Sequence, residues 1–153
     1  MRHFWYFVRH KWFVMIECFK MGLIWQGVVH DLDKFRIEYF KSYRNYEKSK
    51  NYMPQLPESL YPKTGNRKIN AEVLKHKKRS PHHWQYYCYG RKEPSPIPDK
   101  YIKEMVCDWI GAGKARGRKD IIGWYLGCCN QMIIHPDSQR LQSVFYRYKH
   151  SVL

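Results

Sequence analysis

Acidic residues are scarce in this chain of 153 residues, which has 13 Asp and Glu against 28 Lys and Arg and a formal net charge of +15. A field this positive attracts polyanions, so the sequence predicts a partner that carries phosphate. Nucleic acid, a nucleotide and an anionic membrane surface all meet this condition, and charge alone does not separate them. The plain alternative is a basic surface without a particular ligand.

The cysteines lack the patterns of a disulfide framework or a zinc ribbon. There are 5 of them, an odd number, Cys128 and Cys129 are adjacent, and no Cys-x-x-Cys motif occurs. These features argue against a secreted disulfide scaffold and against a thioredoxin-like redox pair. We interpret the thiols as small buried apolar groups in a reducing compartment, which predicts a cytoplasmic protein.

No segment satisfies the requirements of a signal peptide or a membrane span. Residues 12–29 are apolar apart from Glu17, Lys20 and Gln26, and they follow a basic start. Two charges near the centre of such a run are costly in lipid, and no small-residue cleavage site follows it. The sequence therefore predicts a core helix that is apolar nearly all round because neighbours surround it, and no transmembrane segment.

Repeats and alternating strand patterns are absent, whereas apolar residues are plentiful. Hydrophobic residues make up 44% of the chain and aromatic residues 17%, enough apolar surface to offset the entropy of ordering. A chain of this length is typical of one domain. We therefore predict an all-α protein, a compact single-domain helical bundle over residues 1–153 with long proline-rich loops. Its oligomeric state is not fixed by the sequence.

In the N-terminal half, apolar periodicity predicts three helices and one loop. A helix over about residues 4–20 ends near Gly22, and a second helix runs from about 24 to 43. Prolines interrupt residues 51–66, which predicts a long surface loop before a third helix over about 69–78. The packing face of the second helix is expected to consist of Val28, Leu32, Phe35 and Tyr39.

Ser80 and Pro81 are typical of a helix start, with a hydroxyl at the N-cap and proline at the first helical position. This start places His82 and His83 in the first turn of a helix. Adjacent helical residues diverge by about 100°, so we expect only one of the two imidazoles to point inward.

The clearest helix in the C-terminal half follows a second proline-rich loop over residues 90–98 and is expected to end at Gly111 and Gly113. A basic loop then leads to an apolar helix over about 121–133, and Pro136 restarts the chain before a last amphipathic helix. The apolar stripe of the clearest helix comprises Ile102, Met105, Val106, Trp109 and Ile110, and that of the last helix comprises Leu141, Val144, Phe145 and Tyr148.

The doublet His30-Asp31 ends a strongly apolar stretch, so both side chains should be drawn inward, where they need polar partners or a metal. His10 lies on the first helix, and packing of two helices would bring it opposite His30. The plain alternatives are a surface pair for the doublet and a hydrogen-bonded core histidine for His10.

Three further positions complete the set, namely two candidate metal ligands and one carboxylate that would orient a ligand. His76 stands among lysines, which also fits a solvated basic face. Asp108 lies at the border of the apolar stripe of the clearest helix, a position that suits either a carboxylate reaching into a cleft or an exposed one. Glu104, one turn earlier, would orient a ligand from behind or pair with Lys100.

The order His10, His30-Asp31, His76, His82 or His83 and Asp108 resembles the HD-domain metal-dependent phosphohydrolases. Those proteins are all-helical, and their site uses His…His-Asp…Asp with additional histidines in two-metal members. The resemblance covers residues 10 to about 110. The wider patterns are similar to a family of small uncharacterised proteins from phages and bacteria, which would place a phage-encoded protein in the host cytoplasm. These patterns are His-Lys-x-Phe-Val at 10–14, His-Asp-Leu-x-Lys at 30–34, His-x5-His-His-Trp at 76–84 and Glu-Met-x-Cys-Asp-Trp at 104–109.

The resemblance implies a ligand set for one or two divalent ions. The first ion would be held by His10, His30, Asp31 and Asp108. A second ion would be held by His76 with His82 or His83, and Asp31 would bridge the two ions. The donor set contains no thiolate and therefore fits Mn²⁺, Fe²⁺, Co²⁺, Ni²⁺ or Zn²⁺ better than a structural zinc site made from cysteine.

The resemblance also implies the chemistry. A bound ion lowers the pKa of its water toward about 7, which supplies hydroxide for attack on phosphorus. Many members carry Gly-Lys at the positions of Asp33 and Lys34. Lys34 is therefore expected to contact phosphate and stabilise its oxygens, whereas the resemblance assigns no role to Asp33. Charge alone makes Lys77, Lys78 and Arg79 further candidates for phosphate contacts, although such a run also fits a solvated face.

Two functions follow from these features. The first is hydrolysis of a phosphate monoester or diester of a nucleotide-type substrate. The alternative is a non-catalytic basic protein that binds nucleic acid or another partner, in which the histidines serve helix packing or a structural metal.

Overall fold

A computed structural model describes residues 2–37, 75–118, 120–138 and 140–151, and these residues form helices and turns without any strand. The expected all-α class is therefore confirmed over the described part of the chain. Its α-helices are α1 (Arg2–Lys20), α2 (Ile24–Val29), α3 (Gln85–Cys88), α4 (Asp99–Ala115), α5 (Ile121–Cys128) and α6 (Leu141–Ser151). Residues 75–79 are also helical. The loop expected over 51–66 and the start of the helix expected over 69–78 lie outside the described residues.

The centre of the fold is the crossing of α1 and α4. Gly111 of α4 lies against Val14 of α1 so closely that an added Cβ would be 2.5 Å from Val14 Cγ2 and 2.8 Å from its backbone nitrogen. Cys18 and Cys107 are fully buried beside this contact. The expectation that Gly111 and Gly113 end the helix is wrong, because both glycines serve close packing and α4 continues to Ala115.

Helix α1 follows the predicted bounds, and Gly22, with φ of +72°, turns the chain after it. The expectation that neighbours surround residues 12–29 is wrong, because Trp12 of α1 and Trp25 of α2 are 56% and 71% exposed. Helices α4 and α2 pack against one side of α1. Glu17 on the packed side is buried, and its carboxylate accepts a hydrogen bond of 2.6 Å from Lys114 Nζ of α4.

The predicted second helix over 24–43 is too long, because α2 ends at Val29 and the chain turns sharply there. Asp31 adopts a left-handed conformation with φ of 56°, and a 3-10 turn over Leu32–Phe35 follows. Lys11 of α1 secures this corner, since its ammonium donates hydrogen bonds of 2.9, 2.6 and 2.8 Å to the carbonyls of residues 27, 28 and 30.

The expected packing face of the second helix is also wrong, because the turn points its side chains toward solvent. Val28, Leu32 and Phe35 are all exposed. Tyr39 lies outside the described residues. The same turn instead buries the two polar residues of the His30-Asp31 doublet.

The apolar core lies on the other side of α4, where α5 and α6 pack. The Trp109 ring stacks on the Phe145 ring of α6 at 5.8 Å and on the Tyr125 ring of α5 at 5.7 Å. Residues 90–98 contain no helix, as expected, and their last turn is held by a hydrogen bond of 2.8 Å from the Ile97 N–H to Ser138 Oγ. Helix α5 is shorter than the predicted 121–133, because a 3-10 turn replaces it from Cys129.

Within the described residues, no helix combines the length and apolar character needed to cross a bilayer.

Candidate metal centre

All predicted metal ligands are buried and converge from four segments of the chain. Helix α1 supplies one imidazole, the corner after α2 supplies the doublet, residues 76–83 supply three imidazoles, and α4 supplies a carboxylate. Their exposed fractions lie between 1% and 9%. The seven side chains are those of His10, His30, Asp31, His76, His82, His83 and Asp108.

The first group joins α1, the corner and α4. The His10 Nε2 atom lies 3.2 Å from Asp31 Oδ2 and 3.1 Å from Asp108 Oδ1. The His30 Nε2 atom lies 3.1 Å from the same Asp31 oxygen and 3.4 Å from the same Asp108 oxygen. Two imidazoles and two carboxylates therefore face one small volume, and we call these four residues the first group.

The second group joins the corner to residues 76–83. His76 Nε2 lies 3.0 Å and His82 Nε2 lies 3.2 Å from the other carboxylate oxygen of the doublet, Asp31 Oδ1. His83 Nε2 lies 3.1 Å from His76 Nε2. We call these four residues, Asp31, His76, His82 and His83, the second group.

Both His82 and His83 point inward, so the expectation that only one would do so is wrong. The predicted helix start at Ser80 is also wrong. The Ser80 N–H donates to the His76 carbonyl at 3.0 Å and so continues the preceding helical turn, and α3 begins only at Gln85. Adjacent residues diverge by about 100° in a helix, but in the non-helical turn between these elements two neighbours can face the same cluster.

Asp31 belongs to both groups and presents one carboxylate oxygen to each. Its left-handed backbone conformation directs the side chain inward between the helices. Lys34, one turn later, also contacts Asp31 Oδ2 with its ammonium group. Burial alone would raise the pKa of Asp31, but the positive charges of His30, Lys34 and His76 outweigh burial and hold the pKa well below its usual value.

The pKa values of His30 and His83 are shifted in opposite directions. Burial lowers the pKa of His30, but the Asp31 charge and the contacts with the surrounding carboxylates hold it well above the usual value. The pKa of His83 is held well below its usual value by burial and by the charges of His82 and His76. Asp108 is kept ionised, because its contacts with the His10 and His30 imidazoles lower its pKa more than burial raises it.

The donor atoms fit a divalent ion in number, type and spacing. In the described part of the chain, His30 Nε2, His82 Nε2 and Asp31 Oδ1 are buried without a hydrogen bond, although they lie close to polar neighbours. Ligand distances of about 2.1 Å separate neighbouring donors by about 3.0 Å in octahedral and about 3.4 Å in tetrahedral geometry. The nitrogen-to-oxygen contacts within the two groups span this interval.

Residues 1–145 match the profile of a family described as Family of unknown function (DUF5662), which covers most of the chain. The chain belongs to this family. The span common to DUF5662 contains every segment that contributes to the two groups. No curated protein and no solved structure matches the chain.

The predicted phosphate contacts of this DUF5662 protein lie in different surroundings. The Lys34 ammonium contacts the Asp31 carboxylate, and Lys77, next to His76 in the sequence, is buried. Burial and the nearby charge of Lys34 lower the pKa of Lys77 to about 7. Lys78 lies over the Tyr89 ring, 3.2 Å from its centroid, and Arg79 is exposed.

Glu104 lies behind the ligands, in the position that the sequence predicted for an orienting carboxylate. Its Oε1 atom accepts a hydrogen bond of 3.0 Å from His30 Nδ1 and lies 3.3 Å from His82 Nδ1. Hydrogen bonds from these two imidazoles lower the pKa of Glu104 more than burial raises it, so the carboxylate is ionised. A carboxylate on Nδ1 leaves Nε2 available to a cation.

The sequence interpretation missed Asp33. Its Oδ2 atom lies 2.7 Å from His76 Nδ1, which orients His76 from behind as Glu104 orients His30. Asp33 stands 43 positions before His76, and no periodicity links the two. The available signal was a second aspartate two positions after the doublet, at the place where many of the resembling proteins carry glycine.

Proposed function

We propose that this protein is a divalent-metal-dependent phosphohydrolase of the HD-domain type that acts on a phosphate monoester or diester of a nucleotide-type compound. One observation carries the proposal: the buried Asp31 carboxylate lies between two groups of imidazoles, with Oδ2 facing the first group and Oδ1 facing the second. A carboxylate shared in this way is the arrangement of two-metal hydrolytic centres.

The donor set assigns holders for two ions. His10, His30, Asp31 and Asp108 would hold one ion, and His76, His82 and His83 would hold the other together with Asp31. When bound, divalent ions supply Lewis acidity to a phosphoryl oxygen and lower the pKa of water so that it attacks phosphorus near neutral pH. Glu104 and Asp33 hold three of the imidazoles with their Nε2 atoms toward the groups.

Cationic side chains beside the groups would bind the phosphate. The Lys34 ammonium is already at the centre, and Lys77 is close enough for its pKa to respond to Lys34 and Asp108. An anionic substrate would favour the protonated form of Lys77, because a negative charge nearby raises the pKa of an amine. These lysines would stabilise the charge that develops on the phosphoryl oxygens.

A third cation lies on the α1 side of the centre. The Tyr6 ring stacks on the His10 ring at 5.9 Å with an interplanar angle of 18°, and the Arg116 guanidinium lies 4.6 Å from the Tyr6 centroid. The stack holds an exposed arginine next to the first group. Together with the net charge of +15, it supports an anionic substrate.

The proposal is tested by metal content and turnover. The purified protein is stripped with a chelator and reloaded in turn with Mn²⁺, Fe²⁺, Co²⁺, Ni²⁺ and Zn²⁺, and hydrolysis of nitrophenyl phosphate and of bis-nitrophenyl phosphate is followed. We expect up to two ions per chain and metal-dependent turnover. Asp31→Asn should reduce turnover at least about 100-fold, because both ions lose a ligand.

The matched control is Asp137→Asn, which makes the same chemical change at an exposed carboxylate and should leave metal content and turnover unchanged. Metal binding that survives loss of both His30 and Asp31 would contradict the assigned ligands. A protein without bound ions and turnover, but with nucleic-acid affinity that falls steeply as salt rises, would instead support the alternative of a basic binding protein.

A further inference from the structure

One carboxylate oxygen serves imidazoles of both groups. Glu104 Oε1 lies 3.0 Å from Nδ1 of His30, which belongs to the first group, and 3.3 Å from Nδ1 of His82, which belongs to the second. The two rings are 4.3 Å apart between centroids. Glu104 itself is 4% exposed, so water does not compete appreciably for this oxygen.

We propose that Glu104 is a positioning residue that prepares the two groups together, and that its loss weakens the binding of both ions. The inference rests on the proposed function, because it requires that the two groups hold ions. Glu104 belongs to neither group of four. Its effect is exerted through the imidazoles of His30 and His82.

The physical basis is the choice of tautomer. A neutral imidazole carries its proton on Nδ1 or on Nε2, and a proton on Nε2 blocks that atom from coordinating a cation. The ionised Glu104 favours Nδ1–H on both rings, because each Nδ1–H then donates to a charged oxygen. His30 Nε2 lies 3.1 Å from Asp31 Oδ2 and His82 Nε2 lies 3.2 Å from Asp31 Oδ1, so the nitrogen that Glu104 does not contact points toward its own group on each ring.

Asp33 supplies a matched comparison within the same chain. Its carboxylate contacts Nδ1 of His76 at 2.7 Å, and His76 belongs to the second group alone. The side chain of Asp33 is 48% exposed, whereas that of Glu104 is 6% exposed. Loss of the Asp33 carboxylate should therefore affect one ion, and loss of the Glu104 carboxylate should affect two.

The test measures binding of Mn²⁺ and Zn²⁺ by calorimetry and metal analysis in the full-length wild-type protein, Glu104→Ala, Glu104→Gln and Asp33→Ala. An orienting carboxylate typically changes metal affinity by about 10–100-fold. We expect Glu104→Ala to weaken both ions by this factor and Asp33→Ala to weaken only one. Glu104→Gln, which keeps an acceptor oxygen, should lose less than Glu104→Ala.

A second readout does not depend on metal. The ¹⁵N spectra of the metal-free wild-type protein, recorded at a pH at which the imidazoles are neutral, should show Nδ1–H on His30 and His82. Glu104→Gln should shift both rings toward a mixture of tautomers, whereas Asp33→Ala should shift His76 alone. The spectra decide the role of Glu104 even if Glu104→Ala fails to fold.

The outcomes separate this inference from the proposed function. Two ions in the wild type with only one weakened in Glu104→Ala would overturn the coupling and leave the proposed function intact. Nε2–H on either ring of the wild type would overturn the positioning role. A wild type that binds no ion would overturn both.

Discussion

At the scale of single residues, the most informative position is Asp31. A residue other than glycine in the left-handed conformation costs of order 1 kcal/mol and is retained where the surroundings compensate. Here the compensation is electrostatic, because the buried carboxylate is surrounded by imidazoles and the Lys34 ammonium. The strained residue is thus the one on which both groups depend.

Protons should leave the centre when an ion binds. The pKa values of His30 and His82 are raised despite burial, because the surrounding carboxylates favour the protonated imidazoles, and a bound ion must displace those protons. We expect protons to be released on binding and an affinity that rises with pH until the imidazoles are neutral. Calorimetry of the metal titration in buffers of different ionisation enthalpy measures this release. An uptake of protons, or no exchange, would contradict the prediction.

At the scale of helices, the centre depends on the faces that α1 and α4 present to each other. Glu104, Asp108 and Gly111 are spaced i, i+4 and i+7 and therefore share one face of α4. His10 and Val14 share the facing side of α1 in the same way. The close contact between Val14 and Gly111 sets the separation across which His10 reaches Asp108.

Gly111→Ala should destabilise the protein and weaken metal binding together. The added Cβ would lie 2.8 Å from the Val14 backbone nitrogen and 3.0 Å from its Cα, so α1 itself must shift. We expect a loss of about 1–3 kcal/mol in the free energy of unfolding, measured by urea denaturation.

The control for this change is Gly127→Ala in α5, where nothing lies within 4 Å of the added Cβ. This variant should be neutral or more stable by up to about 1 kcal/mol, because alanine favours helix. Equal effects of the two substitutions would show that helix propensity, and not the contact with Val14, decides the outcome.

At the scale of the whole molecule, the two groups connect segments that are distant in sequence. Helix α1, the corner after α2, residues 76–83 and α4 contribute ligands, and only the folded chain brings them together. An ion that binds this set binds the folded state far better than the unfolded one.

Metal should therefore raise the melting temperature. At a free ion concentration of about 100 times the dissociation constant, the gain is about 2.7 kcal/mol, or roughly 5–10 °C for a chain of this size. Thermal denaturation with and without ion, followed by chelation, measures the shift. Asp31→Asn should lose most of the shift, and a full shift in that variant would show that the ion binds elsewhere.

Periodicity and residue chemistry predicted a large part of this arrangement. The bounds of α1, the amphipathic character of α4 and α6 and the loop over 90–98 follow from local patterns that the structure keeps. The burial of His30 and Asp31 agrees with their place at the end of an apolar stretch, whereas the inward direction of both His82 and His83 does not agree with the expectation for these two residues. The predicted second helix failed at Val29, because a buried carboxylate and a lysine cap stabilise a turn that local propensity does not indicate.

The sequence by itself determined which residue types are present: an all-helical pattern, a strongly basic composition and a set of candidate ligands that consists of imidazoles and carboxylates. Only the tertiary structure decided which of these side chains meet. His82 and His83 both face the centre because a turn precedes α3, Asp33 reaches His76 across 43 positions, and Glu104 contacts two imidazoles of different groups. Side-chain direction depends on the backbone angles of single turn residues and on how closely two helices cross, and both are set by contacts between segments far apart in the chain.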